Sequence, residues 1–345
     1  MDTGIVDGAH LCPMPAVSTL LPFRNAAETL GTAIASLAAQ TFGDLELLLI
    51  DNASTDGSTA IAQHWAARDA RITLLHEPHI GIAHALNTGL AHARGPYIAR
   101  MDADDVSHPE RLAKQVAHLE AHPDIGVLGT ATRFASTVPE HRGMLAYVAW
   151  QNRILSPDAH AVKRFVDAPL AHPTVMFRRE LVERHGGYDT GPVPEDHELW
   201  LRWMDAGVRL AKLPDALLTW TDHPARLSRT HPHYSVDAFF RTKMRWLARW
   251  LHRTLGGRPV IVAGTSALCR ERAQLLAAEG IPVAAFTDVR PRSVPGHAFV
   301  PSDALPPAGE AFVVSLISQR GAGDRIAAFL AGRGLVEGVD FVLAA

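Results

Sequence analysis

The sequence predicts an α/β protein built on a doubly wound, mostly parallel sheet, with a second, smaller α/β domain behind it. Three observations carry that expectation. Short apolar runs alternate with stretches of helical spacing from Ala16 onward, the pattern of repeated strand-helix units. Polar residues collect just after the apolar runs, where such sheets bind their ligands. Gly256-Gly257 then opens a fresh strand-turn-helix-strand pattern. With 345 residues, 47% of them apolar and 20% charged, the chain has the size of about two domains and ample material for a core. The expected division is a leader at 1–15, a first domain at 16–235, a basic amphipathic linker helix at 236–256 and the small domain at 257–345.

Ala16 to Leu21 reads as a buried strand stopped by Pro22, and Ala26 to Gln40 as a helix with Leu30, Ile34 and Leu37 on its apolar face. Leu45 to Ile50 is a second strand, ending in Asp51-Asn52-Ala53-Ser54-Thr55-Asp56-Gly57, and Ser58 to Arg68 a second helix. Ile72 to Leu75 is strand, Gly81 to Ala93 helix, and Gly95-Pro96 a break. Tyr97, Ala99 and Met101 then alternate along a strand that delivers Asp102, Asp104 and Asp105 into a loop. Ser107 and Glu110 have the spacing of a capping box around Pro109, which predicts the start of the next helix. Ile125 to Leu128 is a further strand. Periodicity is poor from Pro139 to Asp167, which reads as loop and helix on the acceptor side. Val175 to Phe177 is strand, Glu180 to His185 a short helix closed by Gly186-Gly187, and Pro194 opens an amphipathic helix.

Three carboxylates within four residues repel one another unless a counter-charge is present. Hard oxygen donors suit Mg²⁺ or Mn²⁺ better than zinc, so the cluster points to a divalent cation. Glu195 and Asp196 fall in the first turn of the helix after Pro194, where the helix dipole favours acids. The functional reading makes Asp196, or Glu195, a general base beside an acceptor hydroxyl. One acidic site for a metal and another for a base fit sugar transfer from a nucleotide diphosphate.

The net charge of -3 offers no basic surplus for general nucleic-acid binding. Cys12 and Cys269 stand far apart with no C-x-x-C, which supports neither a disulfide framework nor a zinc site. Met1 to Pro15 lacks the pattern of a signal peptide, and no apolar run approaches the ~20 residues that span a bilayer. The expectation is a cytoplasmic protein, soluble or peripheral at the inner face of the membrane.

In this order the motifs resemble family-2 glycosyltransferases of the GT-A fold. The matching pieces are Val17 to Asn25, Leu49 to Ser58, Gly81 with Ala85 to Gly89, Arg94 to Ala99 and Asp102 to Asp105. His172-Pro173-Thr174, Gly186 to Asp189, Glu195-Asp196 and Leu199 to Arg202 follow, so the resemblance covers about residues 15 to 230. It implies a nucleotide pocket lined by Pro22, Phe23, Asn25 and Asp51, with Asn87 and Ala103 also on the donor side. It implies that Asp102 and Asp104 form the Asp-x-Asp pair that meets ribose and the cation, and that Asp196 deprotonates the acceptor. His223, in Trp220 to Pro224, stands where some members reach the metal. Leu86 departs from the Arg that many members carry there.

From Ala238 to Leu255, Phe240, Met244, Leu247 and Leu251 form one helical stripe, with Arg241, Lys243, Arg245, Arg249 and Arg253 supplying charge. The favoured reading is a linker helix whose basic side chains cover apolar surface; a peripheral contact with an anionic membrane is the other. Beyond it, Pro259 to Ala263, Ala267 to Glu279 and Val283 to Phe286 make a strand-helix-strand unit ending at Asp288, followed by a strand at Phe312 to Ile317 and a helix at Asp324 to Gly332. The tail looks like the small Rossmann-like domains found beside sugar-modifying enzymes, although only Gly264 of a G-x-G-x-x-G is present.

The function expected is therefore an inverting, metal-assisted glycosyltransferase using a nucleotide-diphosphate sugar, with a UDP-sugar as donor by family resemblance. Its acceptor would be a saccharide, a lipid-linked sugar or a protein. Two other readings remain open. A nucleotidylyltransferase would need a Gly-rich basic first loop that Phe23 to Ala27 lacks. A sugar-nucleotide binding or regulatory protein would work through the small domain.

Overall fold

The computed structural model describes residues 14–138, 141–290, 294–319 and 321–345. The leader expected at 1–15 lies outside them apart from Met14 and Pro15, as do Cys12 and the start of the stretch at 139. The first unit begins with β1 (Val17–Phe23), α1 (Leu30–Ala38), β2 (Leu45–Asp51), α2 (Ser58–Ala66), β3 (Ile72–His76), α3 (Ile82–His92) and β4 (Tyr97–Arg100). All of β1 and β2 is buried, because helices cover both faces of a parallel sheet. The period-2 alternation sorts their side chains accordingly. Leu21, Phe23, Leu47 and Leu49 join one core with α1, while Leu20, Leu48 and Ile50 join the opposite core with α3.

The chain continues through β5 (Val106–Ser107), α4 (Arg111–Ala121), β6 (Ile125–Ser136), α5 (Arg142–Asn152), α6 (Pro157–Lys163), β7 (Met176–Arg178), α7 (Glu180–His185), α8 (Glu195–Asp205), β8 (Arg209–Asp222) and α9 (Leu227–Thr230). These eight strands form one sheet in the order β3-β2-β1-β4-β7-β6-β8-β5. β1 to β4 pair in parallel, whereas β7 runs antiparallel to both β4 and β6. The sheet is thus mixed on its second half.

Three local expectations are corrected. Pro22 does not stop β1. Leu20 accepts from Met101 N, so Pro22, two residues on, faces the same side, where β4 has already ended at Arg100 and its missing N–H goes unneeded. The capping box does not form either. Ser107 is paired with Leu218 in β5 and accepts from Gln40 Nε2, and the free Leu112 N–H at the start of α4 donates to Gln40 Oε1 at 3.1 Å. The cap comes from a residue remote in sequence. The third concerns Lys243, expected with the arginines to supply charge while covering apolar surface: it is itself buried, donating from Nζ to Val166 O at 3.0 Å and lying 4.1 Å from the Phe240 ring centroid.

α10 (Val236–Thr254) leads into β9 (Val260–Ala263), α11 (Ala267–Ala278), β10 (Val283–Asp288), β11 (Ala298–Pro301), β12 (Phe312–Ser315), α12 (Ala322–Gly332) and β13 (Phe341–Leu343). The five strands are parallel in the order β11-β10-β9-β12-β13, the crossover arrangement of a Rossmann-like sheet. Phe240, Met244, Leu247 and Leu251 of α10 pack with Val260, Val262 and Phe312 of this sheet, and with Phe165 and Leu201 of the first unit. The apolar stripe is therefore spent inside the protein, while Arg241, Arg245, Arg249 and Arg253 stay exposed. No helix among the described residues is long and apolar enough to cross a membrane.

Candidate active site

The carboxyl ends of β1, β2 and β4 carry the predicted residues. Asn25 and Ala53 both adopt left-handed backbone, with φ of 49° and 56°. For Ala53 that costs roughly 1–2 kcal/mol. Bonds between the two loops hold the conformation: Asn25 Oδ1 accepts from Thr55 N at 2.8 Å, and Ala26 N donates to Ser58 Oγ at 2.8 Å. Asp51 is buried, accepting from Ser54 N at 2.9 Å and Thr59 Oγ1 at 2.6 Å. Burial opposes its ionisation, but the bonds from Thr59 and Ser54 override burial and hold the carboxyl below its ordinary range. Pro22 and Phe23 are buried too, which leaves little of either ring for a ligand to touch. Asn25 is exposed there.

Two donor-side expectations change character. Asn87 spends its amide on one turn, donating to Tyr188 O and accepting from Tyr188 N, each at 2.9 Å. It ties α3 to the loop after α7 and is not a free ligand group. The Ala103 methyl packs in the core beside Met101, which leaves only its backbone for a ligand.

Oxygens of Asp102, Asp104 and Asp105 lie within 4.8 Å of one another. Asp102 Oδ1 meets Arg100 Nη2 at 2.6 Å, and although burial works against the charge, this pair keeps Asp102 ionised below the ordinary carboxylate range. Burial and repulsion from Asp102 push Asp104 the other way. Burial and both neighbours push Asp105 up further. His223 Nε2 lies 2.8 Å from Asp104 Oδ2, which brings the end of β8 to the cluster as expected. Asp105 accepts from Thr221 N at 2.8 Å through Oδ1, while its buried Oδ2 has no hydrogen-bond partner. A crowded set of hard oxygens with one buried acceptor unpaired fits a divalent cation.

Pro194 places Glu195 and Asp196 in the first turn of α8. Glu195 is occupied: Tyr234 donates its hydroxyl to Oε2 at 2.5 Å, and His172 Nδ1 lies 3.6 Å from Oε1. Asp196 Oδ1 accepts from His197 N at 2.7 Å, and its second oxygen has no hydrogen-bond partner among the described residues. Burial and the Glu195 charge raise Asp196 to about 6, against the opposing influence of His172. His172 itself is driven down to about 3 by burial and by Arg100, and it responds to both Asp196 and Asp102. The acidic cluster and the base candidate therefore face a common buried pair, Arg100 and His172.

Sequence reasoning quoted His172 only inside a motif and gave Arg100 and Tyr234 no role. Their partners lie far away in the chain, so local spacing carries no signal for them. The N-terminal half of the crevice was readable because each loop follows directly on its strand.

The fold thus brings a crowded carboxylate cluster and a separate buried carboxylate to the same pair of residues, Arg100 and His172, and the comparisons with known proteins name the class: a glycosyltransferase. The family model described as Glycosyl transferase family 2 matches residues 18–186. Putative glycosyltransferase EpsE of Bacillus subtilis (strain 168) is 35% identical over 231 residues, 65% of this chain and 79% of that protein. The chain belongs to glycosyltransferase family 2. Among solved structures, S. aureus TarS 1-349 in complex with UDP-GlcNAc aligns with a TM-score of 0.56 at 18% identity, over 76% of this chain and 71% of that one. The mannosyltransferase PcManGT from Pyrobaculum calidifontis, in complex with GDP-Man and Mn2+, aligns with a TM-score of 0.50 at 21% identity, over 77% and 73%. These two likenesses show the GT-A fold.

Proposed function

We propose that the chain moves a sugar from a nucleotide-diphosphate sugar, a UDP-sugar by preference, to an acceptor hydroxyl by direct displacement with inversion. The observation that carries this reading is the convergence of Asp102 and Asp196 on Arg100 and His172, with Asp104 beside Asp102 in the cluster. Asp102 and Asp104, with His223, would hold Mg²⁺ or Mn²⁺. Such a cation, when bound, offsets the negative charge that builds on the departing diphosphate. The sugar-nucleotide complexes of TarS and the GDP-Man and Mn2+ complex of PcManGT support the substrate class and the cation.

Asp196 takes the proton from the acceptor hydroxyl as that oxygen bonds to the anomeric carbon. The bond from the same carbon to the diphosphate breaks, and its electron pair leaves with the nucleotide. Glu195 is held by Tyr234 and His172, which leaves Asp196 as the base. Asn25 and the backbone at Pro22 and Phe23 border the donor, with Asp51 fixing the loop that receives it. Asp196→Asn tests the assignment: transfer should fall by about 10²–10⁴-fold while a nucleotide diphosphate still raises the melting temperature. Retained transfer, or a product of retained anomeric configuration by NMR, overturns it.

A further inference from the structure

The turn after β8 carries a guanidinium that the fold sets beside the acidic cluster without pairing it. Arg226 N donates to His223 O at 3.1 Å, so this side chain shares one turn with the histidine that meets Asp104. Its guanidinium carbon lies 4.2 Å from the Trp220 ring centroid, a cation–π contact that restrains the side chain. Arg226 Nη1 and Trp220 Nε1 are both buried and both lack a hydrogen-bond acceptor among the described residues.

The neighbouring acids are already claimed. Asp102 pairs with Arg100 and Asp222 with Arg229, each at 2.6 Å. Asp104 is met by His223 and Asp105 by Thr221 N. No carboxylate among the described residues forms an ion pair with Arg226, yet its charge acts on Asp102, Asp104 and Asp105 alike. Arg100 and Arg111, both buried, stand on the same cluster, and Asp105 acts on Arg111. Three carboxylates thus face three guanidiniums, a balance that leaves little net attraction for a lone divalent cation.

A guanidinium fork with free donors fits the oxygens of a phosphate chain. We propose that Arg226 is this chain's own ligand for the donor's diphosphate, and that until the diphosphate arrives its charge holds off the divalent cation, so that cation and nucleotide are taken up together. The inference rests on the reading under Proposed function and adds an order of binding and a residue to it. Arg226 thereby touches the donor directly, though it neither moves the proton nor contacts the acceptor.

The test measures Mn²⁺ binding by the electron paramagnetic resonance signal of the free ion, and UDP and GDP binding by calorimetry, on the full chain. In the wild type, Mn²⁺ alone should bind at least tenfold more weakly than in the presence of saturating UDP or GDP. Arg226→Gln should tighten binding of Mn²⁺ alone several-fold and weaken the nucleotide at least tenfold, two shifts of opposite sign that general damage does not produce. Arg226→Lys keeps the charge without the fork, so Mn²⁺ alone should stay weak while the nucleotide is still lost in part. If Arg226→Gln weakens Mn²⁺ alone, or leaves the nucleotide unchanged, the inference is overturned. A wild type that binds no nucleotide with Mn²⁺ present instead sinks the donor reading on which it rests.

Discussion

Asp196 lies between an anion, Glu195, that raises its proton affinity and a buried guanidinium, Arg100, that lowers it, and its response to pH follows from those neighbours. Burial and Glu195 bring it to about 6, so the base form fills as pH rises through that value. The expected profile of kcat/KM climbs about tenfold per unit below pH 6 and levels above it. Tyr234→Phe moves this limb to lower pH. The Tyr234 hydroxyl stabilises ionised Glu195, and once it is removed Glu195 holds its proton more tightly, so its push on Asp196 fades while the opposing charge of Arg100 continues. A limb that stays in place in Y234F would rule out this coupling. Asp102, Asp104, Glu195 and Asp196 were legible in the sequence because acids crowded within a few residues are a local signal. Tyr234 was not, since it stands 39 positions from the carboxylate it binds.

Gln40 shows the same limit in an element. Almost fully buried, it donates from Nε2 to Ser36 O, Ser107 Oγ and His108 O, and accepts from Leu112 N. It therefore joins the end of α1 to β5 and to the first turn of α4, which has no local side-chain cap. Gln40→Ala should cost about 2 kcal/mol by leaving buried groups unpaired, read as a lower denaturant midpoint at unchanged slope. β8 escaped the sequence reading for a different reason. Its pairing with β6 passes from Thr130 opposite Leu213 to Ala131 opposite Ala216, and the skipped residues are Pro214 and Asp215. A proline and an acid inside a strand imitate a loop, yet here they form the bulge that lets the strand continue. That continuation delivers His223 and Arg226 to the cluster. The helices α5 and α6 fill the stretch whose periodicity was poor, because each buries only a few residues.

Across the whole molecule, α10 is the central member of a core that the two units share. Leu247 is fully buried among residues of both, so Leu247→Ala should cost about 2–5 kcal/mol. Calorimetry should still show one transition, shifted down, with the sugar-transfer site and the small sheet lost together; two separated transitions would contradict a common core. Lys163 and Glu337 reinforce the junction at 2.7 Å. The sequence predicts two units with a helix between them, but which surface that helix covers depends on Phe165 and Leu201, and nothing local marks them as its partners. The shared core also bears on how such a chain is inherited. A gene segment ending near residue 235 would carry every acid of the crevice into a new host, yet it would bring along Phe165 and Leu201 as bare apolar surface. Recombination at that boundary is therefore viable only where the recipient supplies a replacement helix or polar residues arise at those two positions.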